Sequence, residues 1–299
     1  MLDVVIIGSG PAGITAAIYA KRANLNVAVV EKEYLGTGQI AESSRVDNYP
    51  GIPGIDGYSL GEKFREHAES LGVEFTEAQV LSLGQKDGIW IIGCDEDITL
   101  ESKVVIYATG CKNRPLGVPG EEKYYGRGLS FCAVCDGAFY KGKRVAVIGG
   151  GDTALDDAMY LSDICEKVYL VHRREFFRGS ASTLEKLKQK ENVEIIVNAR
   201  VEEITGDKKI DGIILDNKTK LNISGLFAAV GMIPQTELLK EFGVLDESNY
   251  VKVSEDTKTT VNGLFAAGDV RTKQLRQVVT AAADGANAIY SVMEYLRNI

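Results

Sequence analysis

One local pattern occurs twice in this chain and leaves few folds open to it. Near the N-terminus, the β-branched apolar run Asp3 to Ile7 ends at Gly8-Ser9-Gly10-Pro11-Ala12-Gly13. An apolar helical stretch follows to about Ala23, then a second strand, Val27 to Val30, that ends at Glu31. The second copy runs from the strand Arg144 to Ile148 into Gly149-Gly150-Gly151-Asp152-Thr153-Ala154. A helix then reaches about Ser162, and the strand Val168 to Val171 ends at His172. In such a strand–turn–helix unit the first glycine makes the tight turn and the second lets a pyrophosphate approach the backbone. The third allows the helix to pack on the strand. The helix N-terminus then faces the phosphates with free N–H groups and a positive dipole end. Two such units predict an α/β chain with two Rossmann-like dinucleotide-binding domains.

The two copies share a register but differ in charge. Glu31 follows Gly8 by 23 residues, and His172 follows Gly149 by 23. An acid at this position binds a free ribose hydroxyl and would repel a 2′-phosphate. In the second copy the position is occupied by His172-Arg173-Arg174, with Arg178 four residues on. Arginines bind a phosphate through charge-assisted, often bidentate, hydrogen bonds. The first site therefore suits FAD and the second NADP.

Between the copies lies Cys132-Ala133-Val134-Cys135-Asp136-Gly137. A CxxC pair beside βαβ patterning points to redox chemistry. Structural zinc commonly takes four ligands, often from two such pairs; here there is one pair and only two histidines, His67 and His172, so no metal site is expected. Cys94, Cys111 and Cys165 have no spaced partners and read as core residues. Two readings of Asp136 stand. Burial would raise its pKa and suit it to proton transfer, or it simply forms a turn with Gly137.

The rest of the chain organises around these units. Gly36-Thr37-Gly38-Gln39-Ile40 and Asn48-Tyr49-Pro50-Gly51 are polar turn segments. Leu60 to Leu71 predicts an amphipathic helix with His67 exposed. Val73 to Val105 alternates like an antiparallel meander, with Trp90 in the core. Val104 to Ala108 is a further strand, closed by Thr109-Gly110. Arg114 to Gly120 reads as a linker. Ser182 to Lys190 predicts a helix, Val193 to Val197 a strand, and a second meander reaches Ile223. Ala229-Val230-Gly231 then mirrors Ala108-Thr109-Gly110, so the duplication extends to whole domains. Pro234 to Glu241 reads as a return linker. Gly263 to Asp269 is a strand ending in Gly-Asp, and Gln277 to Leu296 a final helix. The expected domains are 1–112 plus 242–299 and 113–241, each a three-layer ββα sandwich, the second inserted into the first.

A net charge of −8 argues against a nucleic-acid surface. No apolar run approaches the roughly 18 residues of a membrane span, and Met1-Leu2-Asp3 leads into a strand without a basic n-region. Five cysteines in 299 residues are too few for a secreted disulfide scaffold. The expected setting is cytoplasmic.

Taken together, these residues closely resemble the low-molecular-weight, bacterial-type thioredoxin reductases over essentially the whole chain. The resemblance rests on Gly8–Gly13, Cys132–Gly137, Gly149–Ala154, His172-Arg173-Arg174 with Arg178, and Gly263–Asp269 with Lys273-Gln274-Leu275-Arg276-Gln277. Val134 stands where the family pattern often has Thr. The resemblance implies FAD in the domain 1–112 plus 242–299, with Gly268 and Asp269 at its ribityl and phosphate portion. Arg276, Gln277, Gln39 and Asn48 would lie toward the flavin; Gly38, Thr109 and Gly110 belong to the same expected site. NADPH would sit on Gly149, Gly151, Asp152, Thr153 and Ala154, with His172, Arg173, Arg174 and Arg178 at the ribose phosphate. Cys135 would face the flavin, Cys132 would attack a thioredoxin disulfide, and Asp136 would handle the proton. The family is homodimeric and moves its domains on linkers near 113–116 and 238–243.

The residues alone give the same route. Electrons would pass from NADPH to a flavin, then to the Cys132–Cys135 disulfide, and then to a partner disulfide by thiolate exchange. Other readings remain open: a flavin-dependent disulfide reductase using ferredoxin, NADH or a peroxiredoxin-reducing protein, or a redox sensor that does not turn over.

Overall fold

The computed structural model describes residues 1–33, 37–43 and 45–299, so Gly36 of the first polar turn lies outside it. The chain forms two compact units, one from Met1–Lys112 and Ile233–Ile299, the other from Asn113–Met232.

In the first unit, strand β1 (Leu2–Ile7) leads into helix α1 (Pro11–Arg22), strand β2 (Val27–Glu31), helix α2 (Gly57–Ser70) and strand β3 (Glu74–Glu77). Strands β4 (Val80–Lys86), β5 (Ile89–Cys94) and β6 (Thr99–Tyr107) follow. Strands β3, β2, β1 and β6 lie side by side and parallel, with Val4 level with both Val27 and Val104. The sequence suggests a meander to Val105 and a separate strand from Val104. Instead the two merge, because β6 is one nine-residue strand. Its first half pairs antiparallel with β5, and its second half pairs with a parallel strand from the end of the chain.

The second unit is entered at β7 (Cys111–Asn113). It contains strand β8 (Leu129–Ser130), the one-turn helix α3 (Ala133–Asp136), strand β9 (Arg144–Gly149), helix α4 (Asp152–Ser162), strand β10 (Lys167–His172), helix α5 (Ala181–Lys188) and strand β11 (Val193–Val197). Strands β12 (Val201–Thr205), β13 (Gly212–Leu215) and β14 (Lys220–Asn222) form a separate antiparallel sheet. Strand β15 (Gly225–Ala229) completes a parallel sheet in the order β11-β10-β9-β15-β8. The chain leaves the unit in β16 (Met232–Pro234). Strand β17 (Leu264–Ala266), the parallel partner of β6, and helix α6 (Val278–Leu296) complete the first unit.

Period-two alternation builds three layers in each unit. In β1, Val4 and Ile6 belong to the core shared with α1 and α6, while Val5 and Ile7 join Trp90 and Ile92 in the other. In β9, Val145 and Val147 pack with Leu155 and Leu161 of α4; Ala146 and Ile148 pack with Ile213 and Leu221.

The second crossing between units falls at 232/233, not at 241/242 as the sequence suggests. The stretch read as a linker includes a 3-10 helix, Glu237–Phe242. Its Leu239 is fully buried in the core with Trp90 and Val251. Pro234 and the polar residues around it obscured that apolar anchor. Among the described residues, no helix is long and apolar enough to cross a membrane.

Candidate active site

The cysteine pair occupies one tight turn after β8. Cys132 and Cys135 are disulfide-bonded with Cα atoms 5.3 Å apart. The Asp136 N–H donates to the Cys132 carbonyl at 3.1 Å, and the Cys135 N–H donates to Cys132 Sγ at 3.2 Å. Ala133 is fully buried in the core beneath, whereas Val134 is 60% exposed. Gly137 explains how the turn sits so low: a Cβ there would come within 2.8 Å of Tyr160 on α4. Asp136 is half-buried, and its Oδ2 accepts a 2.6 Å hydrogen bond from Ser130. Burial pushes its carboxyl above the usual carboxylate range, and Ser130 opposes that shift. Cys94, Cys111 and Cys165 are free and buried. Burial raises the thiols of Cys111 and Cys165 to about 11, which leaves them unreactive near neutrality.

At the first glycine turn, Gly8 has φ +102°. A Cβ on Gly8 would lie 2.6 Å from the Ala108 carbonyl oxygen, and one on Gly13 only 1.9 Å from that of Gly8. The turn, α1 and the end of β6 are thus pressed together by missing side chains. Pro11 and Ala12 open α1, with Gly10 at its cap position. Glu31 reaches back to the turn, where its Oε2 accepts from both N and Oγ of Ser9. Gly38 lies beside Gly10, its ideal Cβ 3.7 Å from the Gly10 Cα, while Gln39 is partly buried. Asn48 Nδ2 donates to Gln277 Oε1 at 2.8 Å, joining two expected site residues from distant parts of the chain. Thr109 donates to the Gln235 carbonyl, and Gln235 N–H to that of Gly110. Arg276 lies 4.2 Å over the Tyr250 ring and donates to the Asp269 carbonyl.

Two observations favour a polar ligand at this turn. A Cβ on Gly10 would have nothing nearer than 3.9 Å, so the backbone there is open to close approach. Asp269 Oδ1 is buried without a hydrogen-bond partner in the structure. Burial pushes that carboxyl up to about 6, and a ligand hydroxyl would satisfy it. The donor set fits a dinucleotide such as FAD.

The second turn has the same build with a variation. A Cβ on Gly149 would lie 2.4 Å from the Ala229 carbonyl oxygen and 2.7 Å from the Ala154 methyl, so Ala154 fits as the third position only beside a glycine. Gly151, like Gly10, has open space. Asp152 Oδ1 accepts from Ser180 N–H at 2.7 Å, and Gly150 O accepts from Arg178 N–H at 2.7 Å. These bonds clip the loop after β10 onto the glycine turn. Thr153 is exposed, as are Arg173, Arg174 and Arg178. His172, expected among the cofactor contacts, has its ring buried between Gly150 and Phe177, and burial lowers its pKa.

Sequence reasoning missed Ser130, which stands two residues before Cys132, a spacing that favours a local side-chain-to-backbone bond. It also missed Arg271 and Asp284, which form a buried ion pair beneath Gly268.

Residues 2–285 match the family model of the pyridine nucleotide-disulphide oxidoreductases. A protein of Bacillus subtilis named thioredoxin reductase is 38% identical over 99% of this chain and 95% of its own length. A 34.2 kDa protein in the rubredoxin operon of Clostridium pasteurianum is 39% identical over 99% of this chain and 97% of its own. The crystal structure of thioredoxin reductase from Streptococcus pyogenes superposes with a TM-score of 0.94 at 40% identity, covering 100% of this chain and 99% of the other.

Proposed function

The chain belongs to the pyridine nucleotide-disulphide oxidoreductase family, and from that membership we propose that it works as an NADPH-dependent thioredoxin reductase carrying FAD. The observation that carries this reading is the Cys132–Cys135 disulfide with a half-buried acid beside it, in a chain with two glycine dinucleotide turns of opposite charge character. Gly8, Gly10, Gly13, Glu31 and Asp269 would hold FAD. Gly149, Gly151 and Asp152 would hold NADPH, with Arg173, Arg174 and Arg178 at its 2′-phosphate. Bound there, the flavin would supply the two-electron chemistry that links a nicotinamide to the disulfide.

The remaining chemistry belongs to this chain's own residues. With the Cys132–Cys135 bond opened, the Cys132 thiolate attacks one sulfur of the thioredoxin disulfide. A Cys132–thioredoxin bond forms, the thioredoxin S–S bond breaks, and the released sulfur leaves as a thiolate. The Cys135 thiolate then attacks Cys132, which restores the internal disulfide and releases the second sulfur. The two released thiolates take up two protons, and Asp136 is placed to deliver one. In the disulfide the Cys135 N–H donates to Cys132 Sγ. Exposed Val134 and Phe139 flank the pair and leave it approachable by a protein. The homodimer and cytoplasmic setting follow from the resemblance.

Anaerobic titration with NADPH, and separately with NADH, tests the donor by loss of the oxidised flavin band. Bleaching by NADPH at far lower concentration than by NADH is expected, followed by repeated turnover with a thioredoxin disulfide. No bleaching by either nucleotide would remove the nicotinamide reading. A single stoichiometric reaction without turnover would favour a sensor.

A further inference from the structure

The Ser130 hydroxyl bridges two parts of the redox turn. It accepts the Cys132 N–H at 3.1 Å and lies 2.6 Å from Oδ2 of Asp136. A hydroxyl has a single proton to donate. Its other acceptor in reach, the Cys132 carbonyl oxygen, is 3.3 Å away. The shorter contact, to a carboxylate, is the stronger. Ser130 is 6% exposed, so water does not readily replace it. Its backbone is held in β8, level with Phe227 of β15.

We propose that Ser130 is a positioning residue for proton transfer: it holds the Asp136 carboxyl against the redox turn and ties it to the backbone of Cys132. The inference rests on the reading of Asp136 as the proton carrier and deepens it. When Asp136 is ionised, Ser130 donates to it. When Asp136 carries a proton, the Ser130 proton can turn to the Cys132 carbonyl. Donation stabilises the ionised form, so Ser130 works against the desolvation that raises Asp136.

Other groups share this region. Tyr140, at the end of the 3-10 turn Gly137–Tyr140, has its phenol raised by burial and by the Asp136 charge, and Lys143 lies over its ring. Helix α4, packed on α3, brings Tyr160 against Gly137 and carries Asp157 one turn earlier. Asp157 is raised to about 7 by burial and by Asp156. Tyr140, Lys143 and Asp157 therefore set a background that a variant at Ser130 leaves in place.

The test uses the oxidised holoenzyme, and the infrared carboxyl band of Asp136 is followed against pH, identified by its loss in Asp136→Asn. In Ser130→Ala the carboxyl should titrate about one pH unit higher, the loss expected of one hydrogen bond to a charged group. Ser130→Thr keeps the hydroxyl and should restore the original titration. The pH profile of thioredoxin reduction should shift in the same direction, and Ser130→Ala should add no further shift in an Asp136→Asn background. An unmoved Asp136 titration in Ser130→Ala, or an equal move in Ser130→Thr, overturns the proposal. Because the band is read without substrate, an enzyme that failed to reduce thioredoxin would still give a result. That failure would count against the proposed function and not against Ser130.

Discussion

Asp284 on α6 grips Arg271 with both carboxylate oxygens: Oδ1 accepts from Nη2 at 2.6 Å and Oδ2 from Nε at 2.9 Å. Oδ2 also accepts from Lys273 Nζ at 2.8 Å and from the Gly268 N–H at 2.9 Å. Both partners of the ion pair are buried, with side chains 3% exposed. One carboxylate thereby fixes the loop that presents Asp269 to the first glycine turn.

The first prediction concerns that pair. Burial alone would raise Asp284, but the hydrogen bonds from Arg271 and Lys273 outweigh it and hold the carboxyl below its usual range. Its contribution to stability is therefore present at neutral pH and is lost as pH falls through its depressed folded value. Asp284→Ala takes the buried carboxylate from Lys273 and leaves Arg271 with only the exposed Glu255 as counter-ion, and should cost about 3–5 kcal/mol. Asp284→Asn, which retains an acceptor for Gly268, should cost less. Denaturant unfolding at neutral and acid pH measures both, and the gap between wild type and variant should narrow on acidification.

A second prediction concerns the exposed arginines. If Arg173 and Arg174 bind a 2′-phosphate, changing either to Ala should raise KM for NADPH by on the order of tenfold to a hundredfold, the loss of one charge-assisted hydrogen bond. The KM for NADH should stay within about twofold, since surface substitutions without a partner rarely exceed ~0.5 kcal/mol. Steady-state kinetics with both nucleotides decides it. Equal losses for the two donors would place the arginines elsewhere in the mechanism.

Much of the fold was legible because its signals are local. Gly8 and Gly149 each end an apolar strand and open a helix, and period-two runs such as Val4–Ile7 report burial on both faces. What escaped the sequence depends on distant partners. Leu239 looked like part of a linker because the core that receives it, around Trp90, is built almost 150 residues earlier. The spacing of Glu31 suggests a ribose ligand, yet its bonds to Ser9 appear only in three dimensions. Asp284 lies in the small-residue stretch of α6, where nothing in the sequence marks an ion pair with Arg271. The sequence leaves Asp136 between two readings, because its burial and its bond to Ser130 appear only in the fold.

The third prediction follows from that burial. The Asp136 carboxyl is held above the usual range, so it retains its proton to higher pH than a free Asp. Activity that needs the acid should decline as pH rises through that value. Asp136→Asn should lower kcat by about 10²–10⁴, the usual worth of a positioned acid or base, and flatten this limb. The Cys132–Cys135 disulfide should still form in the variant, which thiol titration before and after NADPH can check. A variant with wild-type kcat and an unchanged profile would return Asp136 to a turn-forming role.

The last prediction separates His172 from the arginines that follow it. Its ring is buried, stacks 4.8 Å from Phe177 and bonds the Phe176 carbonyl through Nε2. It also fills the space where a Gly150 side chain would go, since an ideal Cβ there would lie 2.2 Å from the imidazole. His172 therefore shapes the glycine turn from behind. Gly150→Ala should cost about 1–3 kcal/mol, the range for overpacking a tight site. His172→Ala should also destabilise, by opening a cavity, and should weaken NADPH and NADH alike. In the double variant the new methyl occupies space vacated by the ring, so the two costs should fall short of additive by about 0.5–3 kcal/mol. Unfolding of the two single variants and the double measures this coupling. Strict additivity, or a His172→Ala effect confined to NADPH, would show that the ring acts on the ribose phosphate and not on the turn.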